Sequence, residues 1–350
     1  MSSFINVLGI DLGGTSARSI DTTFDPVEGR FKDSKTKKRP TGGVKDFLEF
    51  LREVASDFGK TLSDFRAVAI AVAGPVGRGR VLKFANIPDL VIDREAIRQQ
   101  FNDTPIGFVN DGAAQVYACT IPQPNWISIQ DGNPDPTGTR GLIGAGTGLM
   151  TTYVATTGSY GDNVTIRGAK QVVVLPGEGG HVSFPAEDSF DFELLTQISQ
   201  RFDLPSNRYI GLEKIVSGPG FKYLHELMNP HIPPMSIPDE ITKAFAVANR
   251  NEEVEKTLAL VSKYYGRAVR NFALCPTCRG GVYISGGPAI AYPDLIKHRA
   301  FEDEFHKAPK NPQDEVIPEL LNEIPITLVS NEDIGLEGAA VYALTLLEED

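Results

Sequence analysis

Cysteine is scarce, with three residues in a chain of 350, and an odd number that small excludes a disulfide framework as the source of stability. Long apolar runs are missing too. The longest, Ala67 to Ala73 and Val172 to Leu175, fall well short of the roughly 20 residues that cross a bilayer. Positive charge is outnumbered, 34 Lys and Arg against 45 Asp and Glu, for a net charge of -11 and a pI near 5.1. That field repels phosphate backbones and anionic lipid, so neither nucleic acid nor a membrane surface is expected as a partner. The opening Met-Ser-Ser-Phe-Ile-Asn-Val-Leu has no basic region, apolar core or cleavage site of a secretory signal, which leaves a cytoplasmic location as the expectation. What is present is ordinary for a globular protein: 41% apolar and 23% charged residues, in a length that supports one large domain or two ordinary ones.

The hydrophobic pattern alternates between strand and helix periods, as in α/β proteins. Phe4 to Ile10 reads as a buried strand, Asp11 to Thr15 as a turn, and Ala17 to Thr22 as the returning arm of a hairpin, with an edge strand within Val27 to Ser34. Asp46 to Phe58 has helical spacing and stops at Gly59. Val68 to Val72 is a buried strand ending at Gly74-Pro75, Asp93 to Phe101 a helix, and Gly107 to Val109 a strand ending in Asn110-Asp111. From Arg140 the order restarts: a strand to Ile143, a turn over Gly144 to Gly148, a return strand from Leu149 to Ala155. An internal duplication is therefore expected. Helices are predicted over Phe190 to Phe202, Phe221 to Met228, Asp239 to Ala248, Glu252 to Leu274 and Gly335 to Leu347, with strands over Gly281 to Ile284 and Ile326 to Val329. The Pro-rich stretches Ile121 to Pro136 and His231 to Pro238 read as surface loops. The expected division is a small α/β lobe of residues 1–120 and 331–350 and a large α/β lobe of 121–330.

Two turns carry glycine in patterns that suit phosphate. In Asp11-Leu12-Gly13-Gly14-Thr15 the glycines let backbone N–H groups approach an anion while Asp11 faces a bound cation, although a plain hairpin turn also takes a Gly pair. Gly144-Ala145-Gly146-Thr147-Gly148 supplies the second half. Two such units are what two lobes need to grip one polyphosphate, and neither loop fits a P-loop or a dinucleotide fingerprint. Asn110-Asp111 places a carboxylate at a strand end, a position that faces a cleft in many α/β proteins and that an Asx turn also occupies. Pro176-Gly177-Glu178-Gly179-Gly180-His181 is a bend bringing two polar side chains together. A helical metal pair is disfavoured there because the glycines do not suit a helix.

Across nearly the whole chain the sequence resembles the bacterial glucokinases of the hexokinase, actin and heat-shock chaperone ATPase superfamily. The matching segments follow in order: Asp11 to Arg18, Ala69 to Val76, Val109 to Ala113, Gly144 to Leu149, Leu175 to Val182, Glu213 to Gly220, Gly280 to Gly287 and Leu336 to Ala340. Leu-Pro-Gly-Glu-Gly-Gly-His and Ser-Gly-Pro-Gly are the most specific of them. The resemblance implies a two-lobed actin-like ATPase fold, ribonuclease H-like in each half, that passes the γ-phosphoryl group of ATP to the 6-hydroxyl of glucose as the first step of glycolysis. Another hexose kinase, a fructokinase or mannokinase, is the alternative. A sugar-responsive repressor on the same fold needs a DNA-binding motif before the first turn, for which the stretch ahead of Asp11 leaves no room.

The same resemblance implies roles for particular residues. Asp111 is the catalytic carboxylate, and Asn86, Asn110, Glu178, His181 and Glu213 bind the sugar. Asp11, Gly13, Gly14, Thr15, Gly144, Gly146, Thr147, Gly148, Gly286 and Gly287 bind ATP, with Mg2+ as cofactor and Asp11 reaching it through water. Asp89 stands where the family commonly has an aromatic residue shortly after Asn86. A homodimer with hexose and ATP as its small-molecule partners is expected. Cys275-Pro276-Thr277-Cys278 has the spacing of redox and zinc sites, yet no second pair accompanies it, so no function is expected there. Lys35 to Arg39 reads as a solvated basic loop.

Overall fold

The computed structural model describes residues 4–42, 44, 46–72, 76, 81–84, 87–101, 104–121, 125–156, 172–201, 205, 208–233, 241, 243–246, 250–311, 314, 316–330 and 333–348. Asn86, Gly74-Pro75 and half of the Asp239 to Ala248 helix lie outside them. The chain divides into two units, Met1–Asn125 with Thr152–Pro176 and Asn331–Asp350, and Trp126–Thr151 with Gly177–Ser330. Among the described residues no helix is long and apolar enough to cross a membrane.

The first unit is built on strands β1 (Ile5–Leu12), β2 (Ser16–Asp25), β3 (Arg30–Pro40), β4 (Ala67–Val72) and β7 (Ile106–Asn110), in the sheet order β3-β2-β1-β4-β7. β1 to β3 are antiparallel neighbours, whereas β4 lies parallel to both β1 and β7. Helix α1 (Phe47–Ser56) starts at the side-chain cap of Asp46, which accepts from the N–H groups of Leu48 and Glu49. Strands β5 (Val81–Phe84) and β6 (Ile87–Asp93) pair separately and lead into α2 (Arg94–Gln100). Neither strand stands out in the sequence.

β4 shows how one strand serves two cores. Its Ala-Val-Ala-Ile-Ala-Val alternates small and large, so Val68, Ile70 and Val72 fill the face covered by Phe47, Phe50 and Leu51 of α1. Ala67, Ala69 and Ala71 face the other way, toward α3 (Asp111–Ala118) and the late helix α11 (Ile334–Thr345). Small residues there let backbones approach. A Cβ on Gly9 would stand 2.8 Å from the Ala340 nitrogen, and one on Gly338 would lie 1.7 Å from the Ala114 carbonyl oxygen.

The six-stranded sheet repeats the plan. Strands β8 (Ile127–Gln130), β9 (Arg140–Ala145), β10 (Leu149–Thr156), β11 (Val172–Gly177), β12 (Gly281–Ser285) and β13 (Ile326–Leu328) form the order β11-β10-β9-β12-β13-β8. Removing β8 leaves the same succession as in the first sheet, the third, second, first, fourth and fifth strands side by side, which bears out the duplication. Around it are α4 (Ser189–Arg201), α5 (Gly218–Met228), α6 (Glu252–Leu274), α7 (Gly287–Ala291), α8 (Asp294–Lys297), α9 (Arg299–Phe305) and α10 (Val316–Glu323).

Several expectations need correction. Lys35 to Arg39 belongs to strand β3, whose row of exposed lysines keeps a sheet edge from pairing with another chain. Ile121 to Pro136 contains strand β8, which gains its hydrogen bonds from β13 far along the chain. The Glu178-Gly179-Gly180-His181 bend includes a single 3-10 turn over Gly179–His181, and Asn110-Asp111 opens helix α3 instead of a free turn. Cys278 is fully buried against Gly141, and burial pushes its thiol up to about 12.

Candidate active site

β1 extends past its expected end, so Asp11 sits in the strand, paired across the hairpin with Arg18. The guanidinium Nη2 of Arg18 lies 2.8 Å from Oδ2 of Asp11, and its Nη1 lies 2.6 Å from Oδ1 of Asp333, the residue before α11. Asp11 therefore keeps Oδ1 without a hydrogen-bond partner among the described residues. The turn that follows is tied down from behind: the Thr41 hydroxyl donates to the carbonyls of Gly13 and Gly14 at 3.0 and 2.9 Å, and the Thr41 N–H donates to the carbonyl of Thr15 at 3.1 Å.

Asp111 is the first residue of α3. Asn110 caps this helix, accepting from the Ala113 N–H at 3.1 Å, while its Nδ2 donates to Oδ1 of Asp111 at 3.0 Å. Oδ1 also accepts from the Gly112 N–H at 2.9 Å. Both bonds fall on one oxygen. Oδ2 has no partner among the described residues, so the carboxylate is fixed in direction with its other oxygen available to take a proton.

In the second unit, the loop Gly144 to Gly148 is packed against two neighbours. The Gly218 N–H, at the start of α5, donates to the Gly146 carbonyl at 2.8 Å, and the Gly146 N–H donates to the Gly148 carbonyl at 2.8 Å. Buried Tyr265 accepts the Ala145 N–H at 3.2 Å and donates to the Ser285 carbonyl at 3.4 Å, joining this loop to the Gly286-Gly287 turn. Gly286 has φ +99, and a Cβ there would lie 2.1 Å from the Ala145 carbonyl oxygen, so only glycine fits. Beside Gly146 and Gly287, by contrast, a Cβ would find no atom within 4 Å. These are the open sides of the two turns.

The polar cluster expected to hold sugar comes together in the same unit. His181 Nε2 lies 3.6 Å from Glu178 Oε2 and its Nδ1 lies 3.6 Å from Glu213 Oε1. Glu178 is 89% exposed at its side chain and Glu213 only 21%, so the cluster runs from surface to interior. It is assembled by backbone: Phe184 and Leu212 donate to the carbonyls of Ile210 and Val182, laying 182–184 against 210–212. The Thr151 hydroxyl accepts the Gly179 N–H at 2.8 Å and fixes the bend. Behind it, fully buried Arg267 pairs with Asp191 at 2.5 Å and Glu304 at 2.8 Å and donates to the Pro185 carbonyl at 2.9 Å. A depression of about 390 Å3, lined by Arg208, Tyr209, Gly211 and Lys214, adjoins His181 and Glu213.

Thr15 and Thr147 lie exposed at the tips of their turns. Thr41, Thr151 and Tyr265 escaped sequence reasoning because each acts on a loop distant in sequence, and an isolated Thr or Tyr carries no local pattern. Arg18 was within reach, since a hairpin turn of this length sets it opposite Asp11.

The glucokinase family profile matches residues 8–346. A glucokinase from Nostoc punctiforme is 29% identical over 300 residues, covering 79% of this chain and 81% of its own length. Among solved structures, the glucokinase of an Antarctic psychrotroph superposes with a TM-score of 0.80 at 24% identity, over 99% of this chain and 100% of that one. A ROK family glucokinase from Streptomyces griseus, in complex with glucose and AMPPNP, has a TM-score of 0.53 at 15% identity, over 97% and 99% of the two chains.

Proposed function

The chain belongs to the glucokinase family, whose reaction is the ATP-dependent phosphorylation of glucose to glucose 6-phosphate, and from that premise we propose how its own residues divide the work. Asp111 takes the proton of the attacking 6-hydroxyl on Oδ2, with Asn110 holding Oδ1 and contributing to a neighbouring hydroxyl. Glu178, His181 and Glu213 accept and donate hydrogen bonds to the remaining hydroxyls. Carboxylates suit this task because they are strong acceptors for the O–H donors of a neutral sugar. Asn86 is proposed as a further sugar contact by family likeness.

The turns at Gly13, Gly14 and Thr15 and at Gly144, Gly146, Thr147 and Gly148 are proposed to cradle the phosphates of ATP, with Gly286 and Gly287 under the adenosine. The open space at Gly146 and Gly287 supports this reading, as does AMPPNP, an ATP analogue, in the Streptomyces griseus relative. Mg2+ fits the chemistry of Asp11. Oδ1 of Asp11, unpaired among the described residues, would hold the cation through water. When bound, the cation neutralises charge on the phosphates. By family likeness we further propose a cytoplasmic homodimer.

The observation that carries the sugar assignment is the convergence of His181 on both Glu178 and Glu213. ADP release measured with glucose, mannose, galactose, fructose, gluconate and no sugar tests it. The expected result is turnover that requires a neutral hexose and is fastest with glucose; gluconate turned over as fast as glucose would overturn the sugar site.

A further inference from the structure

In a trans peptide the carbonyl of one residue and the N–H of the next point in opposite directions. Whatever fixes the carbonyls of a turn therefore aims its N–H groups. Thr41 does this for the first glycine turn: its side chain and backbone hold the carbonyls of Gly13, Gly14 and Thr15, three in a row. Thr41 itself is 1% exposed, so this grip is made away from competing water.

The consequence is directional. With the Gly13 and Gly14 carbonyls turned toward Thr41, the N–H groups of Gly14 and Thr15 point the other way, and neither meets a hydrogen-bond acceptor among the described residues. Two adjacent unpaired N–H groups facing outward form an anion-binding concavity. The hydroxyl is essential to the device, because one oxygen serves both carbonyls at once as a donor shared between two acceptors. A methyl group in its place leaves the turn free to rotate either peptide.

We infer that Thr41 is a positioning residue for the phosphoryl donor: it pre-orients the Gly14 and Thr15 N–H groups without touching ATP. This rests on the proposed assignment of the Gly13 to Thr15 turn to ATP. It adds a residue from strand-end chain beyond β3 that no motif marks, and it separates the orientation of the turn from its glycine content.

The test uses the full-length enzyme with Thr41→Val, Thr41→Ser and Gly14→Val, reading ATP affinity by titration, the KM values for ATP and glucose, and the melting temperature. Thr41→Val keeps the shape and removes the hydroxyl, so the dissociation constant and KM for ATP are expected to rise about tenfold, with KM for glucose within about twofold. Thr41→Ser restores the hydroxyl and is expected to restore ATP affinity. Should Thr41→Val fail to fold, Thr41→Ser and Thr41→Ala compared at equal folded fraction give the same contrast. Unchanged ATP affinity in Thr41→Val alongside a loss in Gly14→Val would overturn the role of Thr41 and leave the turn assignment standing. Unchanged affinity in both variants would overturn the two together, whereas an equal loss for ATP and glucose in Thr41→Val, the mark of general damage, would overturn the role of Thr41 alone.

Discussion

A β-carbon added to Gly148 would stand 2.8 Å from Oε2 of Glu213. The last glycine of the Gly144 to Gly148 turn is thus pressed against a carboxylate of the His181 cluster. Glu213 Oε1 meanwhile sits 3.6 Å from both His181 and Lys214, so a displaced Glu213 disturbs the cluster as a whole. Gly148→Ala is expected to leave the fold intact, because the obstructing atom is the movable end of a side chain, and to raise KM for glucose about tenfold. KM for ATP should rise less. Steady-state kinetics with each substrate varied checks the order; a larger effect on ATP would mean that the contact with Glu213 is incidental.

Gly146 gives the opposite case. Its Cβ position is empty of protein to 4 Å, so Gly146→Val meets no clash inside the unit and instead obstructs what docks on the turn. ATP affinity is expected to fall by about tenfold or more with glucose affinity retained. Titration of the folded variant with each ligand decides this, and unaltered nucleotide binding would remove the turn from the site.

Asp111→Asn keeps the cap geometry of α3 and a group that hydrogen-bonds, but not one that accepts a proton at neutral pH. We expect kcat to drop by about 10²- to 10⁴-fold while glucose binding changes by less than about tenfold. Retention of most of the wild-type kcat would show that Asp111 orients without acting as base.

Stability should carry a pH signature from His225. This ring is 3% exposed, its Nδ1 lies 2.8 Å from the Thr257 hydroxyl, and burial lowers its pKa below 6.5 against the weaker upward pull of Glu226 and Glu253. Burial lowers His306 in the same way. The unfolded chain then binds these protons more readily than the folded one, so the stability of the neutral form is fully present above pH 6.5 and declines as pH falls below it. His225→Gln, which retains a partner for Thr257, is expected to flatten the loss by at most about 1.4 kcal/mol per pH unit. Urea denaturation at a series of pH values between 5 and 7 measures the slope, and an identical slope in the variant would exclude His225 as its source.

Much of this architecture is legible in the sequence where the signal is local. Glu252–Leu274 follows from its uninterrupted helical spacing and matches residue for residue, and α1 follows from its aromatic face and Asp46 cap. Elements defined by distant partners are not legible in this way. β8 is short, lies among prolines and is a strand only because β13 pairs with it; α3 is hidden by Gly112, Ala113 and Ala114, whose small size reads as weak periodicity, yet Ala113 and Ala114 are what α11 packs against. The candidate site divides similarly. Its glycine turns and the Glu178 to His181 stretch are written as contiguous motifs, and family likeness placed Asp111 and Glu213. The side chains that hold the turns and the bend, Thr41, Thr151 and Tyr265, come from elsewhere in the chain.

The packing of α11 bears on how the protein is made. Gly9 of β1 and the carbonyl of Ala114 in α3 are both covered by α11, through Ala340 and Gly338. Synthesis proceeds from the N-terminus, so the sheet that carries Asp11 and the helix that starts at Asp111 emerge early, and the whole second unit is translated before their cover exists. A nascent chain therefore presents Val7, Ala69 and Ala114 to solvent or to a chaperone until residues 334–345 are made, and the first unit closes only once the second has been translated.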